Sequence, residues 1–168
     1  DAIVERAKEF NFNDFDRILF SYHGLPDRHV DKVYDTGLCE DQPCETEMNE
    51  YNKFCYKATC FATTRLLAQK MGLKETDYTV AFQSRLDKKW LTPFSDQVIE
   101  EWAKEGAKKV LAFSPAFVAD CLETLVEIGV EYHEDFQEMG GELVQLVPST
   151  NDHPRFIDCL EDLVRKRI

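Results

Sequence analysis

Several features common in proteins are missing from this chain of 168 residues, and their absence guides its interpretation. No run of apolar residues approaches the roughly 18 needed to cross a bilayer, so we expect no transmembrane segment. The first residues lack the basic and then apolar pattern of a signal peptide, which favours a cytoplasmic protein. An initiator Met is also missing, so we expect a piece of a longer protein.

Positive charge is scarce as well. The 20 Lys and Arg residues face 32 Asp and Glu residues, which gives a net charge of −12. An acidic surface repels phosphate backbones, so we expect no nucleic acid partner. The same charge keeps a protein soluble and raises the local concentration of cations, including a metal substrate. Composition alone leaves both uses open.

Hydrophobic patterning predicts an alternation of strands and helices. No Gly-x-Gly-x-x-Gly follows the first strand, which argues against a nucleotide-binding loop. Apolar runs predict strands at 17–22, 78–82, 110–113 and 143–147, and the predicted helices lie at about 55–71, 95–106, 120–139 and from 151 or 152 onward. This order implies parallel strands with helices on both faces. We predict a single α/β domain over 1–168, a four-stranded, doubly wound, Rossmann-like sandwich with a cysteine-rich loop at about 28–54.

Candidate catalytic residues lie where the strands end, because ligands of doubly wound sheets bind beyond the carboxyl ends of the strands. His23 follows the first strand, in a turn held by Gly24 and Pro26. A neutral imidazole there can bind a metal or accept a proton. It can equally serve only to hydrogen-bond the turn.

The predicted helix at 120–139 bears a row of acids. Glu123, Glu127 and Glu131 recur every four residues, and Asp120 precedes the first of them by three. At 3.6 residues per turn these carboxylates form one stripe. The stripe is either a solvated face or, if it lines a cleft, a relay for protons or hard cations. In the second case we expect one carboxylate to have a raised pKa.

Four of the six cysteines fall within 22 residues, and they are Cys39, Cys44, Cys55 and Cys60. Without a secretion signal we expect a reducing compartment, where clustered cysteines bind metal more often than they form disulfides. Their spacing matches neither the common ferredoxin pattern nor that of zinc fingers. Four thiolates are nevertheless the complete ligand set of a [2Fe–2S] cluster or a Zn²⁺ ion. Free thiols are the third possibility.

Three segments resemble ferrochelatases in the same order along the chain. They are Phe20-Ser21-Tyr22-His23-Gly24-Leu25-Pro26, then Phe82-Gln83-Ser84-Arg85 with Trp90-Leu91-Thr92-Pro93, and finally the run 115–132, PAFVADCLETLVEIGVEY. The resemblance extends from about Arg17 to the C-terminus and is interrupted by the cysteine-rich insertion. It is to the catalytic C-terminal half of a ferrochelatase, of a bacterial type with such an insertion.

The resemblance implies a chelatase-like fold and a specific activity. Ferrochelatases insert Fe²⁺ into a porphyrin, here protoporphyrin IX by expectation, to form haem with the release of two protons. The porphyrin lies in a cleft between two similar domains, so the N-terminal half of the same enzyme is an expected partner. An isolated half should therefore have little activity.

Site residues follow from the same resemblance. It implies that His23 and Glu123 act on the metal and the pyrrole protons, with Glu127 and Glu131 continuing the row of metal-binding acids. It also implies a [2Fe–2S] cluster on Cys39, Cys44, Cys55 and Cys60, for which structural Zn²⁺ is the alternative.

One position departs from the family pattern. Many ferrochelatases carry a histidine two residues before the catalytic glutamate, where this chain has Cys121. The departure puts in doubt a metal-transfer role for that neighbour. Trp90 either packs against the macrocycle or belongs to the core. Two other functions stay open: a chelatase that inserts cobalt or nickel into another tetrapyrrole, and a cysteine-ligated metal-binding module without enzymatic activity.

Overall fold

The computed structural model describes residues 1–167, and its centre is a parallel β-sheet. The strands are β1 (Arg17–His23), β2 (Tyr78–Gln83), β3 (Lys109–Phe113) and β4 (Leu143–Leu146), in the order β2-β1-β3-β4. All three neighbouring pairs are parallel. The predicted four-stranded parallel sheet is confirmed, and every predicted strand end lies within one residue of the observed one.

Helices join the strands. They are α1 (Ala2–Ala7), α2 (Asp27–Val30), α3 (Tyr56–Met71), α4 (Ser95–Lys104), α5 (His133–Glu138), α6 (Pro154–Arg165) and a π-helix (Glu123–Tyr132). Helix α3 ends at Gly72, whose φ of 73° lies in the left-handed region that glycine adopts without strain. Within residues 1–167, none of the helices combines the length and apolarity that crossing a membrane requires.

The sheet is buried on both faces, as its continuous apolar strands predict. Successive side chains of a strand point to opposite faces, so Phe20 and Leu19 of β1 lie in different layers. Phe20 belongs to a cluster that includes Leu67 of α3. Leu19 belongs to the other cluster, with Ile99 of α4. The helices therefore cover both faces of the sheet.

The cysteine-rich insertion is mostly irregular, as predicted, but it holds short helical pieces. Besides α2 it contains single 3₁₀ turns at Asp31–Val33 and Cys39–Asp41. Cys39, Cys44 and Cys55 are buried and belong to the same cluster as Phe20. The insertion thus extends the core on the α3 side of the sheet.

The prediction of a continuous α-helix over 120–139 is wrong about the type of helix. Ten residues, Glu123–Tyr132, form a π-helix, and only the last six helical residues return to α-helix as α5. A π-helix hydrogen-bonds to the residue five positions back. This winding sets Tyr132, five residues after Glu127, close enough to donate its hydroxyl to that carboxylate at 2.9 Å. Contacts of this kind outweigh the local preference for an α-helix.

Candidate functional site

The turn after β1 fixes the backbone on which His23 lies. His23 is paired in register with Gln83 at the end of β2. The Gly24 amide donates to the Gln83 carbonyl oxygen at 2.7 Å. A Cβ at Gly24 would lie 2.9 Å from that oxygen and 3.2 Å from the Trp90 ring, so a larger residue would have to displace backbone. The position therefore requires glycine.

The imidazole of His23 has one nitrogen committed and one available. Its Nδ1 lies 2.6 Å from the Gly24 carbonyl oxygen. A carbonyl oxygen only accepts, so we assign the proton to Nδ1, which leaves the lone pair of Nε2 for a metal or a proton. The ring centroid lies 6.5 Å from that of Trp90 and 6.1 Å from that of Phe117. Trp90 is thus a neighbour of His23 and only half-buried.

Glu127 is held by a dense set of donors. Its carboxylate accepts hydrogen bonds from Gln83 Nε2 at 2.9 Å, the Ser84 amide at 2.7 Å, the Ser84 hydroxyl at 2.5 Å and the Tyr132 hydroxyl at 2.9 Å. Four donors saturate an ionised carboxylate, which has no proton of its own to donate. The carboxylate is therefore held in one orientation at the ends of the strands.

Ser84 adopts a strained backbone in order to make these contacts. Its φ is 60°, in the left-handed region that residues other than glycine seldom occupy. Both its amide and its hydroxyl bind Glu127. The preceding Gln83 accepts from the Ser21 hydroxyl and donates to the Glu123 carbonyl oxygen at 2.7 Å. One network therefore joins β1, β2 and the π-helix.

Glu123 lies within electrostatic range of His23. A hydrogen bond from the Cys121 side chain lowers the pKa of the Glu123 carboxyl, and His23 lowers it further by a smaller amount when its imidazole is protonated. Glu123 is therefore not a carboxylate with the raised pKa expected for one member of the stripe, because the groups around it favour its ionised form. Glu123 lies at the same edge of the sheet as His23, because its backbone carbonyl oxygen accepts a hydrogen bond from Gln83, the register partner of His23.

Glu131 and Asp120, two other acids of the predicted stripe, lie in different surroundings. Glu131 is exposed. Asp120 accepts hydrogen bonds from the Ser149 amide and the Asn151 side chain, so it fixes the connection between β4 and α6. Of the stripe, Glu123 and Glu127 contact the residues at the strand ends. The π winding and the anchoring of Asp120 explain why the acids do not form one uniform row.

A glutamine at position 127 tests the role of the saturated carboxylate. Replacing Glu127 by Gln turns one acceptor oxygen into an N–H donor that faces other donors. We expect a loss of about 1–3 kcal/mol in the free energy of unfolding, because at least one donor loses its acceptor. The same substitution at exposed Glu131 should change stability by less than about 0.5 kcal/mol. Urea unfolding of both variants measures the difference, and equal stabilities would contradict the network.

Three of the four clustered cysteines converge. The sulfurs of Cys39 and Cys55 lie 3.6 Å apart, those of Cys44 and Cys55 lie 3.8 Å apart, and all three lie within 4.8 Å of one another. We call these three residues the thiol triad. Cys60 lies within α3, five residues after Cys55, and is buried but outside the triad. The prediction of Cys60 as a ligand stays a prediction.

The thiol triad has the chemistry of a soft-metal site. The hydrogen bond from Cys39 lowers the pKa of Cys55 to about 5, and the Ala58 amide in the first turn of α3 contributes. Burial raises the pKa of Cys60 to about 12. A thiolate is the form of cysteine that binds metal, and it is favoured at a helix N-terminus. The donor set therefore fits a thiophilic metal or an iron–sulfur cluster.

Several side chains of these sites escaped prediction. The contact of Tyr132 with Glu127 can be recognised only once the π-helix is known. Tyr34 and Asn52, which contact the sulfur of Cys44, follow no recognisable spacing. Gln83 and Ser84 were predicted to lie at a strand end, but their partner Glu127 lies more than 40 residues away in the chain.

The fold and these two groups of side chains define a parallel α/β domain with acids and an imidazole at its strand ends and a separate group of converging thiols. The family model of ferrochelatase matches residues 1–168, so the chain belongs to the ferrochelatase family, as its motifs predict.

Curated relatives agree with this assignment. The ferrochelatase of Ectopseudomonas mendocina is 44% identical over 99% of this chain and 50% of its own length. Those of Pseudomonas putida and Coxiella burnetii are 40% and 41% identical, over 99% and 94% of this chain and 51% and 46% of their own. The chain therefore spans about half the length of these relatives. Among solved structures, a putative cobalamin biosynthesis CbiX protein from Marinobacter aquaeolei is 12% identical, with a TM-score of 0.47, over 90% of this chain and 95% of that one.

Proposed function

We propose that this chain is the catalytic C-terminal half of a ferrochelatase that inserts Fe²⁺ into protoporphyrin IX to form haem. The observation that carries the proposal is a contact at one sheet edge, where Gln83, the register partner of His23, donates to the Glu123 carbonyl oxygen, in a chain of this family. Both the ferrous ion and the porphyrin are substrates. The products are haem and two protons.

His23 is the residue suited to the pyrrole protons. Metal insertion requires two N–H protons to leave the macrocycle, and a general base acts best when its pKa lies near the working pH. Imidazole meets this requirement, and Nε2 of His23 has a free lone pair in the assigned tautomer. We infer that Nε2 takes a pyrrole proton.

Glu123 and the neighbouring acids are suited to attract and guide the ferrous ion. Glu123 is ionised, because its surroundings lower the pKa of its carboxyl. Glu127 is held in place by its four hydrogen-bond donors, and exposed Glu131 continues the acids toward solvent. Carboxylate oxygens attract a divalent cation, and charges fixed in advance need no reorganisation when it arrives. We infer that Glu131, Glu127 and Glu123 guide the ferrous ion toward His23.

The other half of the enzyme is the proposed partner. Helix α6 is strongly amphipathic, yet it has no buried residue. Its apolar side chains Ile157, Leu160, Leu163 and Val164 are 42–57% exposed. Such a stripe normally packs against a protein core. Because the relatives are about twice as long, we infer that their remaining half covers this face and forms the second wall of the porphyrin cleft.

The thiol triad is the proposed cluster site. We infer that Cys39, Cys44 and Cys55, with Cys60 as the fourth ligand, bind a [2Fe–2S] cluster, with structural Zn²⁺ as the alternative. When bound, the cluster adds iron–thiolate links that hold the insertion to the start of α3. Such thiols persist in a reducing compartment, which supports a cytoplasmic location.

An assay of both halves tests the proposed function. The chain is expressed alone and together with the N-terminal half of the Ectopseudomonas mendocina relative, and metal insertion is measured anaerobically with Fe²⁺, Co²⁺ and Ni²⁺. We expect haem formation with Fe²⁺ when both halves are present, and little from this chain alone. Preferred insertion of Co²⁺ or Ni²⁺ would favour the alternative function, a chelatase that inserts cobalt or nickel into another tetrapyrrole. Failure of the two halves to bind any porphyrin would favour the second alternative, a cysteine-ligated metal-binding module without enzymatic activity.

A further inference from the structure

Cys44 of the thiol triad receives two contacts from side chains that are not cysteines. The Tyr34 hydroxyl lies 3.2 Å from its sulfur, and the Asn52 amide nitrogen lies 3.7 Å from it. Both distances suit hydrogen bonds to sulfur, which is a larger acceptor than oxygen. Tyr34 and Asn52 belong to different turns of the insertion, so they approach Cys44 from separate stretches of the chain.

The amide of Asn52 is fixed by its other bonds. Its Oδ1 accepts from the Asn49 amide at 2.7 Å, and its Nδ2 donates to the Glu47 carbonyl oxygen at 3.0 Å. These two partners settle which end of the amide is oxygen and which is nitrogen. The second N–H of Nδ2 is the one that faces Cys44. Asn52 is fully buried, so water does not compete for that N–H.

The direction of the Tyr34 contact depends on whether Cys44 holds a metal. In the free thiol, either sulfur or oxygen can donate. A metal-bound sulfur has lost its proton, so it can only accept, and the Tyr34 hydroxyl must then donate. Metal binding therefore converts an ambiguous contact into a hydrogen bond directed at the ligand sulfur.

We infer that Tyr34 and Asn52 are positioning residues that orient the sulfur of Cys44 toward a bound metal, and that their hydrogen bonds strengthen metal binding and favour the reduced state of a bound cluster. Donors to a ligand sulfur withdraw negative charge from it and fix its orientation. Hydrogen bonds to ligand groups tune metal affinity and, in iron–sulfur proteins, the reduction potential. The inference rests on the proposed thiolate metal site.

Cobalt titration is the first test, because Co²⁺ reports thiolate binding by its colour whichever metal the protein normally holds. Tyr34→Phe removes only the hydroxyl, and Tyr51→Phe is the matched control because Tyr51 is 81% exposed in the same insertion. With reduced, metal-free protein and a competing chelator, we expect Tyr34→Phe to bind Co²⁺ roughly tenfold more weakly. Tyr51→Phe should match the unmodified protein.

The outcomes of this titration separate the inference from the site on which it rests. Equal affinity of Tyr34→Phe and the unmodified protein would overturn the inference and leave the thiol site intact. An unmodified protein without thiolate-to-cobalt absorption would overturn the thiol site and the inference with it.

The reduction potential gives a readout that a purely structural role would not move. In cluster-containing protein we expect Tyr34→Phe to shift the reduction equilibrium about tenfold toward the oxidised form, about 59 mV for one electron. Asn52→Asp keeps the acceptor for the Asn49 amide but removes both N–H donors, so its potential should fall in the same direction. Unchanged potentials in both variants would overturn the inference.

Discussion

Replacing His23 by alanine should lower kcat for iron insertion by about 10²–10⁴-fold, the range that a positioned general base contributes. The substitution removes Nε2, the free nitrogen proposed to take a pyrrole proton, and leaves the turn held by the Gly24 amide. Porphyrin affinity should change little, because the substitution leaves in place Trp90 and Phe117, the aromatic neighbours of His23. The measurement is the anaerobic rate of haem formation by the two assembled halves, with porphyrin binding followed by fluorescence.

His29→Ala is the matched control for this experiment. His29 lies six residues further along, on α2, and is exposed. It should retain the unmodified rate, because no described contact ties its side chain to the strand ends. If the His23→Ala and His29→Ala proteins form haem equally fast, the imidazole at the end of β1 takes no part in proton removal.

The sheet could be predicted from sequence because its physical cause is local. Each strand is a short apolar run that must be buried on both faces, and each is followed by a turn and a helical pattern. Phe20 and Leu19, adjacent in β1, reach opposite layers as strand geometry requires. Gly72 ends α3 where predicted, because glycine readily adopts the left-handed conformation of a helix end.

The winding of the acidic helix has no such local cause. Its π-helical residues include Glu127, whose donors Gln83 and Ser84 come from the far end of another strand. No periodicity in the sequence reports those partners. The acids could be identified from their spacing, but their separation into a saturated Glu127 and an exposed Glu131 depends on tertiary contacts.

The arrangement of the thiol site also depends on tertiary contacts that the sequence does not report. The sequence predicts that four cysteines cluster, whereas spacing alone does not fix distances between sulfurs. Cys55 lies just before α3 and Cys60 lies within it, so their side chains leave the helix in different directions. The two sites are nevertheless connected, because Tyr56, next to Cys55, donates its hydroxyl to the His23 carbonyl oxygen at 2.9 Å.

Cys55→Ser is therefore expected to affect both sites. Cys55 contacts both other sulfurs of the thiol triad, so its loss should abolish metal binding, seen as loss of visible absorption and of bound metal. A ligand present at about 100 times its Kd stabilises the folded state by about 2.7 kcal/mol, so unfolding should become easier by a similar amount. Haem formation should fall as well, because a loosened start of α3 no longer holds Tyr56 against the His23 turn.

Two further variants separate these effects. Cys159→Ser, at an exposed position on α6, should keep metal, stability and activity. Tyr56→Phe should keep the metal, because the three cysteines of the thiol triad remain, but lose part of the rate, because it removes the hydroxyl that donates to the His23 carbonyl oxygen. A Cys55→Ser protein that retains its metal would show that the ligands lie elsewhere. A Tyr56→Phe protein with an unchanged rate would show that the thiol site stabilises the fold without influencing the histidine.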